Sequence, residues 1–139
     1  MPVDGGMGCN TLVATGQAIK PNCSGKTPPT AVGGNILDGH YVLTAVDYYN
    51  FGGGTCPMET EKIDWVICGT QWETVQAVGM STSHFNVTTL VQSPKLTLTI
   101  TCPPNVNPSN WTYDVTMSGI VFYLPGPNGS TRASTYTKM

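Results

Sequence analysis

The chain has 139 residues, with 6 Lys and Arg against 8 Asp and Glu, a net charge of −2 and a pI near 5.4. Charged residues make up 10% of it, against about 25% in an average soluble domain, which excludes a coiled coil, a charged disordered tail and a helical bundle. The slight acidity removes the electrostatic case for nucleic acid or an anionic membrane surface as a partner.

Residues 1–36 hold seven Gly, four Pro and two Cys and have only one short apolar stretch, Leu12-Val13-Ala14. This composition predicts an irregular leader without a core of its own. Within it, residues 10–19 could lie as an added strand along a sheet edge, either of the same chain or of a neighbour. The predicted division is therefore a leader over 1–36 and a β domain over 37–139.

From Asp38-Gly39 onward, apolar and polar residues alternate with period two, which is the pattern of half-buried β-strands. Clusters of Gly, Pro, Asn and Ser separate the alternating runs, and Gly69-Thr70 is typical of a tight hairpin turn. The predicted strands cover residues 41–49, 63–68, 72–78, 85–91, 96–101, 112–117, 120–124 and 131–137.

Eight short strands joined by short turns must pair antiparallel, because parallel neighbours need long crossover connections. The sequence therefore predicts an all-β fold, either a single eight-stranded small barrel or a two-sheet sandwich. Closure into a barrel would remove the exposed sheet edges, which a Thr-rich chain with few charges cannot protect.

The first predicted strand opens with Gly39-x-Tyr41, and the only arginine of the chain, Arg132, lies in the last one. These two features resemble lipocalin-like small barrels, in which Gly-x-Trp opens the first strand and packs near an Arg of the last; here Tyr replaces Trp. The leader that precedes them is similar to those of uncharacterised secreted bacterial proteins and lipoproteins. The resemblance implies a barrel closed by a Tyr41–Arg132 pair, and Arg132 exposed on the last strand is the alternative.

The five cysteines are widely spaced and form none of the close pairs that bind zinc or exchange disulfides. Disulfides in an oxidising compartment are expected, and buried reduced thiols are the alternative. We expect Cys9–Cys23 and Cys56–Cys102 bonds, with Cys68 left as a free thiol. An extracellular or cell-envelope location follows, with a signal peptide already removed, since residues 1–6 lack a signal pattern.

Candidate catalytic groups are few. His40 and His84 flank predicted strands and are expected at the surface or in turns. Glu59, Glu61 and Asp64 gather near the start of one strand, where a solvated strand end is favoured over a glycosidase carboxylate pair. No metal site and no cofactor are predicted.

Aromatic residues gather in two strand–loop regions beside amide side chains, an arrangement that suits a sugar or a small apolar ligand, although large core side chains give the same pattern. Trp111 follows a Pro/Asn loop and is the best candidate for an exposed ring. The predicted ligand-binding residues are Trp111, Tyr49, Tyr113, Tyr48 and Phe51.

The preferred hypothesis is an exported, non-catalytic module that binds a small ligand or a surface glycan. One alternative is a self-assembling structural subunit of an extracellular layer or fibre that uses the leader as an added strand. Another is a hydrolase that uses the acidic cluster or His84. The expected partners are an unknown ligand or further copies of the chain, and no apolar run is long enough to span a membrane.

Overall fold

The computed structural model describes residues 8–139, which form nine β-strands, one short 3-10 turn and no α-helix. In the same range, no helix has the length and apolarity needed to cross a membrane. The strands are β1 (Asn22–Cys23), β2 (Gly39–Tyr49), β3 (Glu61–Cys68), β4 (Gln71–Val78), β5 (Ser81–Gln92), β6 (Lys95–Cys102), β7 (Ser109–Val115), β8 (Gly119–Pro125) and β9 (Thr131–Lys138), and the 3-10 turn is Pro127–Gly129.

Strands β2 to β9 pair antiparallel in chain order, and β9 returns to pair with β2. This last pairing runs from Tyr41 opposite Lys138 to Tyr49 opposite Thr131 and closes the sheet into an eight-stranded barrel. The all-β prediction is confirmed, and of its two forms the barrel is the one adopted, because a single sheet closes on itself. The predicted Gly69-Thr70 hairpin joins β3 to β4, with Gly69 at a φ of 58°.

The core fills the barrel interior, as the period-two pattern requires. Trp65 packs edge-on against Trp72 and Phe122, with ring centroids 5.5 and 6.0 Å apart. Edge-to-face contacts of this kind contribute about 0.5–1.5 kcal/mol beyond the burial of their area. The aromatic part of the core thus lies inside the barrel, where β3, β4 and β8 face one another.

The seam between β2 and β3 is only partly paired, because Gly39–Val42 alone oppose β3. The leader occupies the rest of it. Ile19 exchanges two backbone hydrogen bonds with Glu61 on β3, at 2.8 and 2.9 Å, and β1 pairs parallel with Asp47 and Tyr48 of β2. The added strand was expected over residues 10–19. Backbone pairing instead occurs at Ile19 and at Asn22–Cys23, and it is with the chain's own barrel.

Residues 9–16, called the strap below, cross the outward faces of four strands. Asn10 donates to the Phe85 carbonyl of β5 at 3.1 Å, and Gly16 lies so close to Val42 of β2 that it leaves no room for a side chain. Beneath the strap, outward-facing residues such as Val75 are buried, with 1% of that residue exposed. The strap therefore gives this side of the barrel a second, outer buried layer.

Asp64 is a charged anchor of the strap. Its carboxylate accepts hydrogen bonds from the backbone N–H of Thr15 at 3.1 Å and from the Thr15 hydroxyl at 2.6 Å. It also pairs with Nε2 of His40 at 2.6 Å, and only 1% of Asp64 is exposed. The expected solvated strand end is therefore corrected for Asp64, because the docked strap removes its outward face from water.

His84 was also expected at the surface or in a turn, and it is instead buried on β5 with 4% exposed. Its Nε2 lies 2.8 Å from the backbone carbonyl oxygen of Leu12 in the strap, to which it donates. The physical reason is the same as for Asp64. Local alternation places both residues on the outward face, and only the strap's path turns that face into an interior.

The disulfides are Cys9–Cys102 and Cys23–Cys56, and Cys68 is the free and exposed cysteine of the described chain. The four bonded cysteines are those expected, but the expected pairs Cys9–Cys23 and Cys56–Cys102 do not form. A bond within the leader is excluded because the leader extends across the barrel, which carries its two cysteines to different partners. Each disulfide therefore fastens the leader to the β domain.

We predict that Asp64→Asn lowers the free energy of unfolding by roughly 1.5–3 kcal/mol, the range for hydrogen bonds to a charged group. The amide keeps the size of the side chain but removes the charge that faces His40 and the two Thr15 donors. Urea denaturation of the oxidised protein, followed by tryptophan fluorescence, measures the change. Glu59→Gln removes the same charge at an exposed position and should change stability by less than about 0.5 kcal/mol. Equal effects of the two variants would contradict the anchoring role of Asp64.

Candidate ligand cavity

A cavity of about 440 Å³ lies at the end of the barrel where β2, β4 and β8 finish and β3, β7 and β9 begin. We call it the end cavity. Inward-facing side chains of these six strands form its wall, and the loop after β2 contributes its rim. The lining includes Tyr48, Pro57, Glu59, Glu61, Ile63, Trp65, Gln76, Val78, Trp111, Phe122, Leu124, Arg132, Ser134 and Tyr136.

An ion pair holds one side of this cavity. Arg132 donates two hydrogen bonds to the Glu61 carboxylate, at 2.7 and 3.0 Å, and a third to the Ser134 hydroxyl at 2.8 Å. Burial lowers the pKa of Arg132, but its hydrogen bonds to Glu61 and the charge of that carboxylate outweigh burial and raise the pKa. The guanidinium is thus charged, neutralised and fixed in orientation.

Arg132 does not form the pair with Tyr41 that the resemblance implied. Its guanidinium carbon lies 5.9 Å from the ring centroid of Tyr48, and it donates to the Tyr48 hydroxyl at 3.3 Å. The antiparallel register of β2 and β9 sets Tyr48 opposite Arg132 and Tyr41 opposite Lys138. The ring that meets the arginine therefore comes from the end of β2, and the Tyr41 hydroxyl donates instead to the Leu37 carbonyl at 2.6 Å.

The indole of Trp65 brings a buried hydrogen-bond donor to the cavity wall. Trp65 is 2% exposed, and its Nε1–H makes no hydrogen bond of normal geometry within residues 8–139. The Tyr136 phenol is its neighbour: burial raises the pKa of Tyr136, and a hydrogen bond from the Trp65 indole and the charge of Arg132 lower it in part. Because that contact lacks normal geometry and a buried N–H without an acceptor costs about 1–3 kcal/mol, a well-aligned ligand acceptor would recover part of this cost.

The structure brings only some of the predicted ligand-binding residues together. Trp111 and Tyr48 line the end cavity, and Phe51 packs behind Tyr48 with ring centroids 6.3 Å apart. Tyr113 is fully buried in the core, where its hydroxyl donates to the Gly34 carbonyl at 2.6 Å. Tyr49 is half-buried on the opposite face of β2 from Tyr48.

Most of the lining was not predicted as a ligand site from the sequence, and its most consequential members are Glu61, Trp65, Arg132 as an ion-pair partner, and Tyr136. Each lies at an inward position of its strand, so the alternation with period two indicates that its side chain points into the barrel. The alternation does not indicate at which end of the strand the packed core stops and the cavity begins. For Glu61, the carboxylate was expected in solvent, and it is 6% exposed because Arg132 faces it across the barrel.

The candidate catalytic groups are divided: Glu59 and Glu61 line the end cavity, Glu61 in its ion pair with Arg132, whereas Asp64 and both histidines lie apart from it. His40 pairs with Asp64 and His84 with the strap, both on the outer face of the barrel. The Thr15 hydroxyl is directed to Asp64 rather than to an imidazole, so this cluster does not set up a nucleophile next to a base. Among residues 8–139, no group of three or more His, Cys, Asp or Glu is placed to hold a metal ion.

The geometry defines a closed antiparallel barrel with a part-aromatic cavity at one end. No protein-family model, curated protein or solved structure matches the chain. The assignment of its function therefore depends on the chemistry of the cavity itself.

We predict that Arg132→Met destabilises the protein by about 3–5 kcal/mol, because it leaves the Glu61 carboxylate buried without its partner. Thermal and urea unfolding measure the loss. The double variant Arg132→Met/Glu61→Gln should recover most of it, since both charges are then gone. Lys62→Met is the control: it removes an exposed charge next to Glu61 on β3 and should leave the free energy of unfolding nearly unchanged. A double variant as unstable as the single one would contradict this account.

We also predict a loss of stability in alkaline solution. Burial raises the pKa of Tyr136, and burial together with the Asp114 carboxylate raises that of Tyr123, from the ordinary value of 10.0. Since the neutral phenols are favoured in the folded state, their contribution is complete below the unfolded pKa and is lost as the pH rises through the folded value. Ultraviolet titration of phenolate should show these two groups ionising only on unfolding. Tyr136→Phe should reduce the slope of stability against pH above 10, and an unchanged slope would contradict the prediction.

Proposed function

We propose that this protein is an exported, non-catalytic module that binds a small, neutral and largely apolar ligand in the end cavity. The observation that carries the proposal is the combination, on one cavity wall, of aromatic rings with a buried donor, Trp65 Nε1, that makes no hydrogen bond of normal geometry within residues 8–139. Small-molecule sites are typically concave, mostly apolar and supplied with a few fixed polar groups.

The size of the cavity supports a ligand of one or two rings. Its volume of about 440 Å³ falls within the range of roughly 300–1,000 Å³ that is usual for small-molecule pockets. Rings of Trp65, Trp111 and Phe122 present flat apolar surface to it, with centroids 5.4 to 6.4 Å apart. An apolar ring or chain would replace water against these faces.

The buried charges favour a neutral ligand, and the further carboxylate of the lining, Glu59, is exposed at the rim. Arg132 and Glu61 neutralise each other through two hydrogen bonds, so neither is available to a ligand of opposite charge without breaking the pair. The hydroxyl of Ser134 and the amide of Gln76 remain on the wall as neutral polar groups. A carbonyl or ether oxygen on the ligand would suit the Trp65 donor.

The disulfides support export. The bonds Cys9–Cys102 and Cys23–Cys56 fit an oxidising compartment, since disulfides are rare where thiols are kept reduced. The surface also carries few charges, which removes an electrostatic basis for nucleic-acid binding. The leader pairs with its own barrel, so it gives no specific support to strand donation between copies.

Binding of prodan tests the proposal, because this neutral naphthalene carries a ketone acceptor and shifts its emission in apolar surroundings. We expect saturable binding with a blue-shifted emission. Val78→Trp places a bulky ring at the cavity wall and should weaken binding at least about tenfold, since it fills the volume that the probe needs. Thr99→Trp adds the same ring at an exposed, outward position of β6 and should leave the dissociation constant unchanged. Absence of saturable binding, or equal effects of both variants, would overturn the proposal.

A further inference from the structure

The barrel wall is open at a second place, between β7 and β8. These strands pair only from Thr112 opposite Tyr123 to Val115 opposite Ile120. The first residues of β7 pair with β6 alone, and the last residues of β8 pair with β9 alone. The two strands therefore diverge towards the open end of the barrel and leave a cleft of about 660 Å³, called the side cleft below.

The side cleft meets the end cavity at two side chains. Trp111 and Leu124 line both. Trp111 is half-buried on β7, and its ring lies 5.4 Å from that of Phe122 and 6.4 Å from that of Trp65, measured between centroids. Trp111 and Leu124 thus form a partition between the two sites. One face of this partition borders the aromatic interior, and the other borders a cleft open to solvent.

The side cleft combines rings and apolar surface with neutral polar groups. The rings of Trp111 and Tyr123 lie beside the amides of Gln92 and Asn110 and hydroxyls such as that of Thr97, and apolar surface makes up the larger part of the wall. Its one charged member is Lys95, which is exposed. Neutral donors and acceptors next to flat rings match a sugar, which offers hydroxyls at its edge and an apolar C–H face.

Asn110 is held ready for such a contact. Its side-chain oxygen accepts a hydrogen bond from the Thr97 hydroxyl at 3.0 Å, which fixes the amide on the cleft wall. Within residues 8–139 its Nδ2 has no acceptor of its own, and the residue is exposed, so both N–H donors can reach a ligand. The adjoining Gln92 adds a second exposed amide.

We propose that the two sites together bind a glycoside, with its apolar aglycone in the end cavity and its sugar in the side cleft, passing the partition of Trp111 and Leu124. This inference rests on the proposed function, because the aglycone uses the same cavity. It adds the chemical class of the ligand and assigns Asn110 and Gln92 as the residues that distinguish a glycoside from its bare aglycone.

Competition against prodan tests this inference. Octyl β-D-glucoside, kept below its micelle-forming concentration, and 1-octanol share one apolar chain and differ in the sugar. We expect the glucoside to displace prodan at about tenfold lower concentration. Asn110→Leu and Gln92→Leu should each weaken the glucoside about fivefold, the cost of one lost hydrogen bond, and should leave prodan and 1-octanol unchanged.

Asn107→Leu is the matched control, because Asn107 is an exposed amide of the preceding loop that lines neither site. The side-cleft inference is overturned if glucoside and octanol compete equally, or if Asn110→Leu and Gln92→Leu do not weaken glucoside binding. In either case, prodan binding would still support the end cavity as a ligand site. Glucoside binding that does not displace prodan overturns the link between the two sites. Failure of prodan itself to bind rejects the proposed function first.

Discussion

The pairing of β2 with β9 is the contact on which the rest of this molecule depends. It turns a meander of eight strands into a closed barrel and removes both sheet edges at once. Its register also places Arg132 next to Tyr48. Both side chains point into the barrel, and there the guanidinium reaches the Glu61 carboxylate of β3. The barrel end that the ion pair borders stays open enough to form the cavity.

Several seams of the barrel are incompletely paired, and the chain treats two of them in opposite ways. Between β2 and β3 the strands separate, and the leader supplies the missing pairing through Ile19 and β1. Between β7 and β8 they also separate, but no segment of the described chain pairs with both strands there, and rings together with amide and hydroxyl side chains line the gap. The first seam is thus part of the scaffold, and the second is where we place the sugar of the proposed ligand.

The polar groups inside and outside the barrel differ in what lies next to them. Outside, Asp64 and His84 bond to the strap, which covers them, so their role is to hold the leader down. Inside, the Trp65 donor makes no hydrogen bond of normal geometry within residues 8–139 and borders the end cavity. Nδ1 of His84 is also buried without a partner in that range, but the residue lines no cavity described above. Access to open volume is therefore the reason for placing function at the open end rather than at the histidines.

The sequence alone determined the class of fold, because alternation with period two and short turns allow little besides an antiparallel sheet. It also determined which face of each strand is apolar, and this alternation is enough to direct Trp65 into the core. Tertiary structure decided which residues of other strands and of the leader each side chain contacts. The partner of Arg132, the exchange of disulfide partners and the burial of Asp64 and His84 all depend on the barrel's register and on the path of the leader. Those contacts join residues far apart in the chain, and local periodicity carries no information about them.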